Sequence, residues 1–180
     1  MKISSFIALA LLLLAVSLFW HFHKKPTAER KFNSTQELID FLASAAVKDA
    51  REQNHVDLDF TSGSVEKVEQ ILGGLHDQYV NNSSSISVNG LASAYGAYIG
   101  EVIRKAEPGA RWERDDKVGG EKSYPIIWGQ GSGHSYPMAW CYRRIVNGPE
   151  DNVWVKYSVL KDKYSVPKEK KTPSALTSQQ

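Results

Sequence analysis

Apolar residues recur at helical spacing through the first two thirds of the chain, and they are densest from Leu91 to Ile103, LASAYGAYIGEVI. At about 100° per residue, Leu91, Ala92, Tyr95, Tyr98, Ile99, Val102 and Ile103 fill one broad sector, with Ser93, Gly96 and Gly100 as a strip of small residues beside it. Ala94, Ala97, Glu101 and Arg104 complete the circumference. A helix apolar on most of its faces is enclosed on several sides, because a solvent face normally carries charge. This stretch is therefore the predicted core helix. Gly96 and Gly100 each cost about 1 kcal/mol of helix propensity relative to alanine, so they predict another element approaching closely along that strip. The same spacing can mark a helix pair in a membrane, but the stretch is short and runs into Glu101 and Arg104, which favours close packing in a water-soluble core.

Two helices are predicted upstream. Ser34 and Glu37 have the spacing of a capping box, after which Leu38, Phe41, Leu42, Ala45 and Ala46 share a face as far as Gln53-Asn54. Val56, Leu58 and Phe60 alternate with acids, as a short strand or an extended approach to the next helix would. Thr61, Ser62 and Ser64 offer an N-cap, and Val65, Val68, Leu72, Leu75 and Tyr79 form the second stripe. Gly73 and Gly74 within that stripe mark either a tight crossing or an early end. Residues 81–90, NNSSSISVNG, read as a loop.

Beyond Pro108-Gly109 the pattern becomes strand-like. Trp112 opens an edge strand, Asp115-Asp116 and Gly119-Gly120 mark turns, and Tyr124 to Trp128 is a second strand. From Pro137 to Ile145, Met138, Trp140 and Tyr142 alternate with Ala139, Cys141 and Arg143, which predicts a third strand. Asn147-Gly148-Pro149, with Glu150 and Asp151 behind it, predicts the start of a last helix carrying Val153, Tyr157, Leu160 and Tyr164. The expected fold is α+β, about four helices packed on a small three-stranded antiparallel sheet.

Residues 3–20 hold no charged side chain and include LALLLLAV, long enough to cross a hydrocarbon layer of about 30 Å. Small residues at Ala15 and Ser17 suit a signal-peptidase site, but the apolar run continues through Leu18, Phe19 and Trp20, which favours an uncleaved single-pass anchor. The chain thus divides into an anchor or signal segment at 1–23, a linker at 24–33, one domain at 34–165 and a polar tail at 166–180 expected to be disordered. Lys24, Lys25, Arg30 and Lys31 outnumber Lys2, so charge counting places the domain on the cytoplasmic side of a bacterial inner membrane. Short N-terminal anchors often export the domain attached to them, and both sides stay open.

Composition narrows the function classes. With 22 Lys+Arg against 20 Asp+Glu and no basic stripe, nucleic acid is not an expected partner. One cysteine, Cys141, precludes an internal disulfide, and the five histidines lack metal-ligand spacing. Neither metal nor cofactor is expected.

LDFTSGSVEKVEQIL, AYGAYIGEVIRK with Arg111-Trp112 after it, and Tyr142-Arg143-Arg144 leading into NGPEDNV together resemble a family of small bacterial domains to which no activity is assigned. The resemblance covers roughly Asp57 to Tyr164 and rests mainly on Gly96, Gly100, Glu101, Trp112 and Asn147-Gly148. It implies a bacterial source and an α+β fold, and supplies no catalytic residues.

Glu101 is the most informative polar residue, because an ionised carboxylate in a buried helix needs a partner. Arg104, Arg111, Arg143 and Arg144 are the available cations. A structural ion pair is one reading; a general base with a raised pKa, working with Arg104 or Arg143, is the other. The segment Gly129 to Ser135 lacks the ending of a phosphate-binding loop and reads as a hairpin tip, where Gln130, Ser132 and His134 with Trp128 and Tyr136 could contact a partner. Cys141 between Trp140 and Tyr142 reads as core. These features favour a membrane-anchored, non-enzymatic protein-binding domain of the envelope, such as an immunity protein that neutralises a toxin. A small hydrolase built on Glu101 and an anchored scaffold are the alternatives. The oligomeric state is not encoded in any of these patterns. Charge counting predicts that a reporter active only in the cytoplasm, fused after Tyr164, is active, and activity of a periplasm-only reporter at that position would overturn it.

Overall fold

The computed structural model describes residues 30–128 and 133–165, with the side chains of Tyr164 and Ser165 excluded. The predicted membrane segment, most of the linker and the predicted disordered tail lie outside the described residues. Among those residues, no helix is long and apolar enough to cross a membrane. All the elements of the fold belong to the unit Asn33–Gln180.

Among the described residues, five α-helices and a three-stranded sheet succeed one another as α1 (Thr35–Asn54), α2 (Ser64–Asn81), α3 (Val88–Ala106), β1 (Arg111–Trp112), β2 (Ile126–Trp128), β3 (Gly133–Ser135), α4 (Pro137–Asn147) and α5 (Val153–Ser165). The sheet is antiparallel in the order β1-β2-β3. Trp112 pairs with Ile126, and Ile127 with His134. The fold is α+β, with helices packed on a small antiparallel sheet.

α1 starts as its capping pattern predicts. The Ser34 hydroxyl accepts the Glu37 N–H at 3.1 Å, and Glu37 reaches back to the Asn33 N–H at 2.7 Å. The face that α1 buries is Ile39, Ala43, Ala46 and Ala50, rather than the larger stripe read from the sequence. Leu38, Leu42 and Ala45 are only half-buried and Phe41 is 43% exposed. Small residues turn inward because α1 lies close against α3, where Tyr95 donates its hydroxyl to Asp49 at 2.6 Å.

The approach to α2 is not a strand. Asp59 accepts the Thr61 N–H and hydroxyl, and Phe60 adopts φ 60°, held by its N–H donating to the Tyr98 hydroxyl at 2.7 Å. α2 runs unbroken through Gly73 and Gly74. Gly73 is a crossing: a Cβ there would lie 3.0 Å from Nη2 of Arg144, whereas one on Gly74 would meet nothing within 4 Å.

α3 is enclosed from Ala94 through Ile103 without interruption. Its glycine strip does what the pattern predicts. A Cβ on Gly96 would stand 2.3 Å from the Met138 Cα, and one on Gly100 would stand 2.0 Å from the Trp112 ring. α4 and β1 therefore sit directly on the α3 backbone.

The expected strand from Pro137 to Ile145 is instead α4, and the third strand is the short segment Gly133–Ser135 in the stretch read as a loop. The alternation of aromatics misled because a helix contains the same residues at a better period. Pro137, Cys141, Arg144 and Ile145 are its buried positions, spaced four, three and one apart, and Pro137 is tolerated at a helix start where no N–H is needed. Downstream, Pro149–Asp151 form a 3-10 turn after Gly148 at φ 116°, and α5 begins later than expected, at Val153. Asn152 caps it by accepting the Val155 N–H at 2.9 Å.

One buried cluster pins α2, α4 and α5 together. Glu69 of α2 accepts Nε of Arg144 at 2.6 Å and the Val153 N–H at 2.8 Å. Arg144 Nη1 is buried without a hydrogen-bond partner among the described residues. Burial pushes the Cys141 thiol of the same helix above its ordinary value, with the Glu69 charge adding to it, in keeping with a core residue.

Close packing sets opposite signs for two glycine substitutions. Gly74→Ala, with open space, is expected to be neutral or to stabilise by up to about 1 kcal/mol. Gly96→Ala should destabilise by about 1–3 kcal/mol or more, because its methyl meets backbone that cannot rotate away. Urea denaturation of both variants checks the pair.

Candidate functional site

A cleft of about 750 Å³ opens between α1, α3, the β1–β2 connection and α4. Leu38 and Leu42 of α1 line it, together with Asn89, Ala92 and Ser93 of α3. Val118, Gly119, Lys122, Ser123 and Tyr124 come from the connection, and Tyr136, Met138, Ala139, Tyr142 and Arg143 from the start of α4. α1 buries Ile39, Ala43, Ala46 and Ala50 and leaves Leu38 and Leu42 half-buried at the edge of the cleft. Val118 is 83% exposed and Tyr142 43% exposed, and both line it.

The β1–β2 connection is a preformed wall. Glu113 N–H donates to Pro125 O at 3.0 Å and Asp115 N–H to Ser123 O at 3.1 Å, while Asp115 and Lys122 adopt positive φ so that the Lys122 N–H can reach the Asp115 carboxylate at 2.6 Å. Asp116 is its hub. One carboxylate oxygen accepts the N–H groups of Val118 and Gly119, and the other lies 2.7 Å from Nδ1 of His134. The Val118 N–H foremost, with His134 and Gly119, holds the Asp116 carboxyl below its ordinary value in spite of burial. Gly119 passes over Tyr136, whose ring would lie 2.7 Å from any Cβ there. The Tyr136 hydroxyl is buried beside Asp116 but makes no well-formed hydrogen bond; burial and then that carboxylate push it above its ordinary value.

Of the residues singled out from the sequence, Tyr136 and Arg143 meet in this cleft, although they belonged to different hypotheses. His134 stands behind the wall on Asp116. Trp128 is buried, donates Nε1 to Ser135 at 2.9 Å and packs its ring against Gly133. Gln130 and Ser132 lie outside the described residues.

Glu101 is elsewhere, at the meeting of α1, α3 and β1. It is 3% exposed and accepts Nε and Nη2 of Arg104, Nε1 of Trp112 at 2.8 Å and Nε2 of Gln36 at 3.3 Å. Burial works to raise its pKa, but the hydrogen bonds from Arg104, Trp112 and Gln36 outweigh it and hold Glu101 below its ordinary value. A general base with a raised pKa is the opposite arrangement. Arg143 does not join it: its guanidinium lies 3.6 Å from Asp151, whose carboxylate is also taken by Lys156 and Asn147.

Several cleft residues were misassigned from the sequence. Leu38 carries the periodicity of a core position, Leu42 packs against the core as well as lining the cleft, and Met138, Ala139 and Tyr142 sat in a predicted strand. A helical reading from Pro137 onward would have brought Met138, Tyr142 and Arg143 onto neighbouring turns. Lys122 and Val118 carried no signal beyond the flanking turns.

Comparison with protein-family models, curated proteins and solved structures found no match for this chain.

The Glu101 cluster makes a signed prediction for pH. Because its folded pKa lies below its unfolded one, its contribution to stability is full above about pH 4.5 and is lost as the pH falls through the folded value. Glu101→Gln should lower stability at pH 7 by about 1–3 kcal/mol, and the gap to the natural protein should narrow at pH 3. Chemical denaturation at both pH values reads it; an equal gap would argue against the lowered pKa.

Proposed function

We propose that this chain is a membrane-anchored, non-enzymatic binding domain of the bacterial envelope, which docks a protein partner in the cleft between α1 and α4. Neutralisation of a toxin by occlusion is the role that suits it best. The observation that carries the reading is that exposed Val118 and Tyr142 stand beside half-buried Leu38 and Leu42 at one preformed concavity. Apolar residues rimmed by polar ones at a concave surface are the usual signature of an interaction site. A wall tied by its own backbone hydrogen bonds needs little reordering on binding, which favours affinity.

The hydrolase reading has less support. Glu101 is committed to Arg104, Trp112 and Gln36, and Arg143 lies with Asp151 instead of with Glu101. An anchored scaffold differs from the first reading only in the partner.

A photo-crosslinking amino acid at position 118 or 142, in cells producing the protein, is expected to yield a discrete adduct. The adduct should be absent at Val159, exposed on α5, and lost when Ala139→Trp fills the cleft. Equal adducts at 118 and 159, or none at either cleft position, would sink the reading.

A further inference from the structure

The charged residues lining the cleft are Lys122 and Arg143, one on the β1–β2 wall and one on α4, and both are cationic. Among the described residues Lys122 has no ion-pair partner, and Arg143 is half-exposed at 3.6 Å from an Asp151 already engaged by Lys156. Between these groups the surface is aliphatic, from Leu38, Leu42 and Met138, so the cleft combines an apolar floor with cationic sides.

From this arrangement we infer that the occupant is an acidic, apolar polypeptide segment, whose leucine-like side chains fill the floor while a carboxylate meets Lys122 and Arg143. The inference rests on the docking role proposed above and specifies its partner. Charge complementarity selects the sign. A hydrocarbon chain fits less well, because Asn89 and Ser93 also line the cleft and would be dehydrated against it, whereas a polypeptide backbone offers donors and acceptors to both.

The test uses the full-length protein and two fluorescent amphipathic peptides with identical leucine positions, one carrying glutamate and the other lysine at the intervening sites. Fluorescence anisotropy at low salt should show the glutamate peptide binding about five- to tenfold more tightly, with the preference shrinking at 0.5 M salt. Lys122→Glu with Arg143→Glu should reverse the order, and Ala139→Trp, at an accessible position of α4, should weaken both peptides. Circular dichroism on each variant establishes that it remains folded. Equal binding of both peptides, or preference for the lysine peptide, overturns the acidic occupant while leaving cleft docking intact. If neither peptide binds although the crosslinks at 118 and 142 form, the acidic occupant fails and the docking reading survives. If phosphatidylglycerol vesicles bind through Lys122 and Arg143 and the glutamate peptide does not, the occupant is a lipid surface and the inference is wrong.

Discussion

The α3 backbone is approached closely by Met138 on one turn and by the Trp112 ring on the next. Both depend on the missing Cβ atoms of Gly96 and Gly100. Once α4 lies on Gly96 and the β1 indole lies on Gly100, the sheet and the second half of the helical layer are placed relative to α3. Tyr95 and Tyr98, fully buried on the same helix, then reach Asp49 of α1 and Phe60 and Ser64 before and within α2. α1, the start of α2, α4 and β1 are thus located by reference to one helix. Its glycines are tolerated because close packing returns the helix propensity they forfeit.

Two buried carboxylates act as pins around that helix. Glu101 gathers Gln36, Arg104 and Trp112, tying α1 and β1 to α3, and Glu69 gathers Arg144 and the Val153 N–H, tying α4 and the start of α5 to α2. Such ion pairs contribute little net stability against well-packed apolar replacements, but breaking one leaves an uncompensated charge. Their effect is on geometry. Each admits one arrangement of the elements it joins, and the orientation of α4 set by Arg144 directs Tyr142 and Arg143 outward into the cleft.

The cleft is a consequence of how α1 meets α3. Alanines at 43, 46 and 50 allow α1 to come close, so Leu38 and Leu42 stay half-buried and line the groove, Leu42 also packing against the core. The β1–β2 connection closes the far side because Asp116 gathers Val118, Gly119 and His134 around one carboxylate. Binding surface and core packing are therefore set by the same residues.

Helical period, caps and glycine spacing were legible from the chain alone. They place α1, α2 and α3, make α3 central, forecast the close approach at Gly96 and Gly100, and identify Glu101 as a buried carboxylate in need of a cation. Local patterns carry that information because helix periodicity and capping depend on residues within about four positions of one another. Tertiary structure decided the rest. Pro137 to Ile145 satisfies both an alternating and a helical period, and only packing Cys141, Arg144 and Ile145 inward selects the helix. Whether Leu38 belongs to core or cleft depends on which face of α1 meets α3. Whether Glu101 is a base or a clamp depends on Trp112, Gln36 and Arg104 arriving together from separate segments. Contacts between residues distant in sequence leave no periodic trace in either partner, so the cleft became visible only in three dimensions.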